Sequence, residues 1–466
     1  MMSAEDKLRD EINKCRNCQA CGSLLDFSCP AFREMFKLVD QERESGKQIS
    51  TNQLIHLVGL CNFCAACPCL DIRAAIIDAK TEYMDQYGLG FRIRALENVD
   101  RIGKWGGALP PVTNFLLQNK VTGGLIKKAL GVHRERKFPS FPKENFAEWL
   151  SRRQKKHVGP TSRHDRKVAY FPGCTARYLF PEIPEAVVEI LERNGVEVFY
   201  LGQQCCGMPS LLEGDRKLTL KFASANVARL AEAVEDGYHI VCSCPTCGFM
   251  LKNVLKIGAH DPAEYRASIG STHGFVKIPV EGSLSSVYGS FMEVPDTLLE
   301  TLLRDNGYFS AINPKTRRMV ADNTFDLGEF FRMLHMRGEF DTKLGPVGMR
   351  VAYYPPCHLR EQNIGTPYQY LLSLIPELSV QTIGGDYCCG NAGIMGFKQE
   401  FHRSSIEIAG RLISRIKALG PEVIATDCLS CRIQLNQLTN YEILHPLQII
   451  KESYTNYQEH IERKAV

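Results

Sequence analysis

Apolar residues recur in two registers along this chain, and the change from one to the other marks its organisation. In the first hundred residues the spacing is helical. Phe32, Met35, Phe36 and Val39 share a face after Pro30, and Ile72, Ala75, Ile76, Ala79 and Tyr83 share another that stops at Gly88. Further on, Val112, Phe115, Leu116, Leu117, Val121, Leu125, Ile126 and Leu130 offer an apolar helical face. From residue 167 the pattern becomes short apolar runs separated by amphipathic stretches. Residues 167–171, 196–201 and 239–242 predict strands, with helices over 183–194, closed by Gly195, and over 215–236. Residues 350–354, 380–383 and 423–426 repeat that order of strands. Phe325, Leu327, Phe330, Phe331 and Leu334 predict a helix over 325–336 between the two copies.

These patterns predict an α+β multidomain chain. A helical unit occupies 1–95, a basic helical linker 96–166, one α/β unit 167–257, an insertion with a connecting helix 258–348, and a second α/β unit 349–466. Strands alternating with helices imply Rossmann-like parallel sheets with right-handed crossovers. The start of the insertion is rich in Gly, Ser and Pro, which fits either a small ordered element or a partner-binding flap.

Charge changes the picture only locally. A net charge of +4 over 466 residues gives no reason to expect nucleic acid. Between Lys120 and Lys167, however, fourteen Lys and Arg face four acidic residues. Beside the apolar face around Phe115, this suits docking on an anionic membrane surface, and equally a solvated linker with a core-facing helix. No apolar run reaches the roughly 18 residues that would span a bilayer. The charged opening Ser3-Ala4-Glu5-Asp6 does not read as a secretion signal. A cytoplasmic site is expected, with peripheral contact at the inner face of the cell membrane as an option.

Nineteen cysteines, about 4 % of the chain, are too few for a secreted disulfide scaffold, where roughly 8–10 % is usual. Reduced thiols serving metals or catalysis are the better expectation. Eight lie in the helical unit, as Cys15, Cys18 and Cys21 followed by Cys29-Pro30, and as Cys61, Cys64 and Cys67 followed by Cys69. Three thiolates at two-residue intervals suit one [4Fe–4S] cubane, with a further cysteine crossing over from the other run, as in bacterial ferredoxins. Two cubanes are therefore expected, on Cys15, Cys18, Cys21 and Cys69, and on Cys61, Cys64, Cys67 and Cys29. Pro68 leaves open whether Cys67 or Cys69 is the one that crosses. Structural zinc prefers separated Cys-x-x-Cys pairs to a triplet.

Ten more cysteines form two matched sets: Cys174, Cys205, Cys206, Cys244 and Cys247, then Cys357, Cys388, Cys389, Cys428 and Cys431. Cys174 to Cys205 and Cys357 to Cys388 each span 31 positions, while Cys206 to Cys244 spans 38 and Cys389 to Cys428 spans 39. Each group follows the carboxyl end of a predicted strand, where open α/β sheets place their ligands. Adjacent cysteines in an extended strand point to opposite faces, but Gly207 and Gly390 permit a turn that brings both sulfurs to one centre. Five soft ligands exceed a tetrahedral zinc site, which favours a cluster or one thiol kept for redox chemistry. A redox disulfide at Cys205-Cys206 or Cys388-Cys389 is the competing reading, disfavoured because ring closure between neighbours is strained. Cys205, Cys206, Cys388 and Cys389 are thus candidate catalytic residues, with His358 as a candidate proton donor or a structural histidine. His445-Pro446 reads as a turn before the last helix, and Cys242 as a strand residue facing away from its set.

The paired sets resemble the CCG domains of heterodisulfide reductases and related iron–sulfur oxidoreductases. Their fusion to a helical two-cluster ferredoxin domain is similar to the iron–sulfur subunits of anaerobic glycerol-3-phosphate dehydrogenase and glycolate oxidase, and to the heterodisulfide reductase catalytic subunit. Residues 352–358, 388–398 and 426–431 through His445-Pro446 look most like the glycerol-3-phosphate type. The resemblance implies two noncubane [4Fe–4S] clusters, one on each set of five cysteines. It also implies a component of a hetero-oligomeric complex that relays electrons between a flavoprotein dehydrogenase and a quinone or membrane subunit. No Gly-x-Gly-x-x-Gly fingerprint is present, so a flavin or nicotinamide would belong to another subunit. Completeness of the first set leans towards the alternative, a catalytic subunit that reduces a disulfide. A third reading is a pure electron-transfer component of a larger soluble reductase complex.

Overall fold

A computed structural model describes residues 3–18, 29–61, 63–64, 67, 69–156, 166–259, 271–272, 275–279, 291–295, 298, 305, 307–385 and 387–465. The amino-terminal region is helical, with helices Ala4–Asn17, Pro30–Ser45, Thr51–Gly59 and Leu70–Tyr87. Their ends follow the local sequence. Ser3 and Ser50 accept hydrogen bonds from backbone N–H groups of the first turns, and Pro30 opens its helix directly after Cys29. Leu8, Ile12, Phe32, Met35, Val39, Leu54, Ile72 and Tyr83 meet in one apolar core, as the helical spacing predicted.

Two four-stranded parallel sheets follow. In chain order, the strands of these two sheets and of the insertion between them are β1 (Arg166–Phe171), β2 (Val196–Phe199), β3 (His239–Cys242), β4 (Ser271–Thr272), β5 (Phe275–Pro279), β6 (Phe291–Pro295), β7 (Thr324–Asp326), β8 (Met349–Tyr353), β9 (Leu378–Thr382), β10 (Val423–Ala425) and β11 (Glu442–Leu444). The first sheet is ordered β2-β1-β3-β7 and the second β9-β8-β10-β11, so both copies run second, first, third, fourth. That order reverses direction between the first and third strands of each copy, which is the position where doubly wound sheets open a crevice at their carboxyl edge.

One helix boundary differs from the sequence expectation, and two short strands, Thr324–Asp326 and Glu442–Leu444, lie outside it. The helix expected over 325–336 starts at Leu327, because Thr324–Asp326 pairs with β3 and completes the first sheet from beyond residue 257. Asp326 then caps the helix with Glu329 in a reciprocal capping box. Within the insertion, the described residues include a three-stranded antiparallel sheet, β4-β5-β6.

The basic linker is built into the fold. It forms helices Phe91–Glu97, Val99–Gly106, Pro110–Gln118, Lys120–Leu130 and Phe146–Lys156. Phe146 is fully buried against Tyr170 and Tyr200. The fully buried Arg136 guanidinium donates to Gln434 and Asn391 and lies over the Phe397 ring. The two α/β units share one core: Val241, Leu327 and Phe331 pack in the same cluster as Tyr353, Leu372 and Leu447.

Candidate metal centres

All ten cysteines of the matched sets lie past strand carboxyl ends, in the loops there or in the first turns of the helices that follow: Cys174 and Cys357 each open a short helix, and Cys247 and Cys431 lie in the helices Pro245–Phe249 and Leu429–Leu438. Cys174 and Cys244 follow β1 and β3, Cys357 and Cys428 follow β8 and β10, and the Cys-Cys pairs follow β2 and β9. The crevice between first and third strands therefore receives cysteines from both sides. In the first set Cys174 Sγ lies 3.4 Å from Cys205 Sγ, and Cys206 and Cys244 both meet Cys247. In the second, Cys431 Sγ lies 2.9 Å from Cys389 Sγ, and Cys357 meets Cys388. Nine of the ten are buried, and Cys388 is partly so.

Gly207 and Gly390 have φ of 93° and 79°, so the backbone turns immediately after each pair. A Cβ on Gly390 would run into the Ser405 carbonyl oxygen, whereas one on Gly207 would come no nearer than 3.5 Å, to Thr219. Gly173, at φ 78°, passes so close that a Cβ would sit 2.9 Å from Cys247 Sγ. Each cysteine set is thus wrapped by backbone that only glycine allows.

Proton sharing between neighbouring thiols separates their acidities. Hydrogen bonds from Cys205 and Cys247 draw the Cys206 thiol down to about 6. Cys244 is held well below the usual thiol range by Cys247 and Cys428, and Cys389 by Cys388 and Cys431. Cys174, Cys247, Cys388 and Cys428 are pushed up because each donates to a neighbouring thiol. Buried sulfurs in such density suit a soft metal centre that takes the place of the shared protons.

The sets are also contiguous. Cys244 of the first meets Cys428 of the second, and Thr246 Oγ1 lies 3.6 Å from Cys428 Sγ. On the other side, Cys388 meets Cys64 of the helical region. There Cys29, Cys61, Cys64 and Cys67 line one apolar cavity with Leu8, Ile12, Phe32 and Ile72. Burial, reinforced by Cys64 and Cys61, pushes the Cys29 thiol up to about 12. Cys29 therefore joins three cysteines from the other run, with Cys67 rather than Cys69 among them. Cys15 is buried at the end of the first helix, Cys18 is its exposed cap, and exposed Cys69 precedes the helix Leu70–Tyr87. Cys21 lies outside the described residues.

His358 sits where three parts of the chain meet. Its Nδ1 is 3.0 Å from Thr246 Oγ1, its Nε2 is 3.1 Å from the Phe63 carbonyl oxygen, and its ring stacks on Phe249. Burial lowers its pKa. Both ring nitrogens are engaged by protein groups, an arrangement that ties the Cys61–Cys64 loop to both α/β units.

Several supporting residues carried no signal in the sequence. Asp100, from the linker, accepts from the Cys205 N–H and from Arg177. Asn226 donates to the Cys205 carbonyl. His445 Nε2 is 3.0 Å from the Ser243 carbonyl oxygen, between Cys242 and Cys244, so the expected turn residue also joins the two units.

Two glycine-bounded sets of five cysteines on matching parallel sheets define the class. Residues 168–252 and 351–436 both match the model of the CCG cysteine-rich domain, and those segments belong to that domain family. Among curated proteins, the C subunit of anaerobic glycerol-3-phosphate dehydrogenase from Escherichia coli (strain K12) is 24% identical over 360 residues, covering 77% of this chain and 76% of that protein. The B subunit of fumarate reductase (CoM/CoB) from Methanothermobacter marburgensis is 23% identical over 299 residues, 62% of this chain and 47% of its own. Lactate utilization protein A of Bacillus pumilus is 26% identical over 293 residues, 61% of this chain and 98% of its own.

Proposed function

We propose that this chain is the iron–sulfur electron-transfer subunit of an oxidoreductase complex, working between a flavoprotein dehydrogenase partner and a quinone. The observation that carries the reading is the unbroken succession of thiol sites, in which Cys64 meets Cys388 and Cys428 meets Cys244. Cys29, Cys61, Cys64 and Cys67 would hold one cubane of a ferredoxin-like domain, and Cys15, Cys18, Cys21 and Cys69 a second. Each set of five would hold a noncubane cluster. When bound, such clusters supply one-electron transfer. The chain's own residues fix the loops, exclude water and keep neighbouring sites in contact through the His358 and Thr246 bridge. The similarity to a component of anaerobic glycerol-3-phosphate dehydrogenase over most of both chains supports partners of this kind.

The linker supports a location at a membrane surface. No helix among the described residues is long and apolar enough to cross a membrane. The hairpin Pro110–Gln118 and Lys120–Leu130 nevertheless leaves Val112, Phe115, Val121 and Leu125 more than half exposed, next to exposed Trp105 and Leu109. No Asp or Glu occurs from Arg101 to Arg134, while Arg101, Lys104, Lys120, Lys127, Lys128 and Arg134 do. An apolar, acid-free, basic-edged hairpin fits the surface of an anionic bilayer.

A second reading, reduction of a disulfide, is favoured by a separate feature. A broad cleft beside Gln203 and Gln204 carries more cations than acids in its lining, with Arg101, Lys104, Lys221 and Arg229 beside Asp100 and Glu148, and it would take an anionic substrate next to the Cys205 loop. Purification of the native complex under anaerobic conditions separates the two. Quinone-linked turnover with a flavoprotein partner and about sixteen iron and sixteen sulfide per chain are expected. Viologen-driven turnover of a disulfide without quinone activity would overturn the first reading, and about eight iron per chain would remove the noncubane clusters.

A further inference from the structure

We propose that an apolar cavity between the two cysteine sets, walled on its far side by the linker hairpin, binds the ring of a lipid-soluble quinone. The proposal rests on the quinone reading above and names where that molecule sits.

The cavity encloses about 200 Å³, room for a compact ring system whose isoprenoid tail extends beyond it. Its walls come from both sets. Thr175 directly follows Cys174, Pro209 lies three residues after Cys206, Asn391 two after Cys389, and Ser430 between Cys428 and Cys431. A molecule held there touches the loops of both candidate centres at once. The opposite wall is apolar and belongs to the linker, with Leu96, Ile102, Leu117, Leu130, Phe138 and Phe141.

The chemistry of the lining selects the ligand class. None of the described lining residues is charged, and Thr175, Asn391 and Ser430 supply the side-chain polarity. An uncharged ring with two carbonyl oxygens matches a mostly apolar pocket carrying a few hydrogen-bonding groups. An anionic disulfide does not, because a charge carried into such a space without a partner is expensive. The cleft beside Gln203, with a charged lining in which cations outnumber acids, has the opposite character, so the molecule separates a site for neutral apolar ligands from one for anions.

The hairpin links the cavity to a membrane source. Leu117 and Leu130 turn inward to the cavity, while Phe115, Val121 and Leu125 on the same two helices face outward and are mostly exposed. A quinone leaving a bilayer against the outer face therefore has only the thickness of the hairpin to pass.

The test uses the full chain, reconstituted anaerobically, and 2,3-dimethyl-1,4-naphthoquinone, whose ring positions are blocked against thiol addition. Equilibrium dialysis compares the wild type with Leu117→Trp and Ile433→Trp, which fill the cavity, and with Lys221→Glu, which alters the cleft. Iron content reports folding. The expected result is an affinity loss of about tenfold or more in both tryptophan variants and little change in Lys221→Glu. Equal binding by wild type and tryptophan variants overturns the cavity assignment but leaves the quinone reading standing. Absence of quinone binding, with clusters oxidised instead by an anionic disulfide, overturns both. If the tryptophan variants lose iron, photolabelling of the wild type with an azido derivative of the same quinone decides. Label within 391–397 or 430–433 supports the site, and label confined elsewhere overturns it.

Discussion

Two glycines that look equivalent in sequence carry different burdens. Gly207 and Gly390 both follow a Cys-Cys pair and both have positive φ, but only at Gly390 does a carbonyl oxygen, that of Ser405, occupy the space a Cβ needs. Gly207→Ala should cost about 1–2 kcal/mol, the penalty of the left-handed backbone alone. Gly390→Ala adds displacement of the helix His402–Leu419 and should cost more, with loss of iron from the second set. Urea denaturation midpoints and iron per chain check the ranking, and equal effects would refute it. Glu97 makes a pH-dependent contribution. Burial, reinforced by Asp215 and Glu213, pushes its carboxyl up to about 9. The folded protein therefore keeps a proton that the unfolded chain releases, and this part of the stability declines as pH rises from the ordinary carboxylate range towards 9. Glu97→Gln should raise stability at about pH 8.5 by ~1–3 kcal/mol and change little near pH 5, as measured by thermal unfolding at the two pH values.

At the scale of elements, the linker departs most from the sequence pattern. Its charge excess resembles a solvated connection, yet Phe146, Arg136 and Asp100 anchor it into both α/β units. Arg152 and Arg153 are occupied by Glu144 and Glu192, so they contribute little to a membrane-facing charge. On the proposed membrane reading, the docking element is the hairpin. Phe115→Glu with Leu125→Glu should abolish co-sedimentation with anionic liposomes, and Lys120→Glu with Lys128→Glu should weaken it in a salt-sensitive way. Arg152→Glu should leave it intact. Undiminished binding of the Phe115 and Leu125 variant would exclude the hairpin as the docking element.

At the scale of the whole molecule, a few buried polar contacts hold the helical region against the α/β units. Arg73 pairs with Glu361 and stacks over Phe63, and Lys80 donates to the Leu212 carbonyl. Such pairs fix position more than they add stability, since burying the charges offsets most of their attraction. Arg73→Met alone strands a buried carboxylate and should cost about 3–5 kcal/mol. The double change Arg73→Met, Glu361→Leu should recover most of that loss in a double-mutant cycle. Additive losses would mean that the contact does not position the Cys61–Cys64 loop.

What is local along the chain is legible in the order of its residues. Helical and strand spacing, the doubled cysteine sets, and the turns required after Cys206 and Cys389 are each set within a few residues by backbone sterics and side-chain periodicity. Even there Thr324–Asp326 and Glu442–Leu444 escaped, because a three-residue strand carries too little periodic signal. What depends on faces meeting across long separations is set by the packing of the folded chain. It brought Cys29 to Cys61, Cys64 and Cys67, set Cys388 against Cys64, gave both nitrogens of His358 to protein partners, and enclosed an uncharged cavity between the two sets. Spacing constrains which thiols can share a centre. Which centres adjoin, and what lies between them, depends on how the helical region, the linker and the two sheets bury their apolar faces against one another.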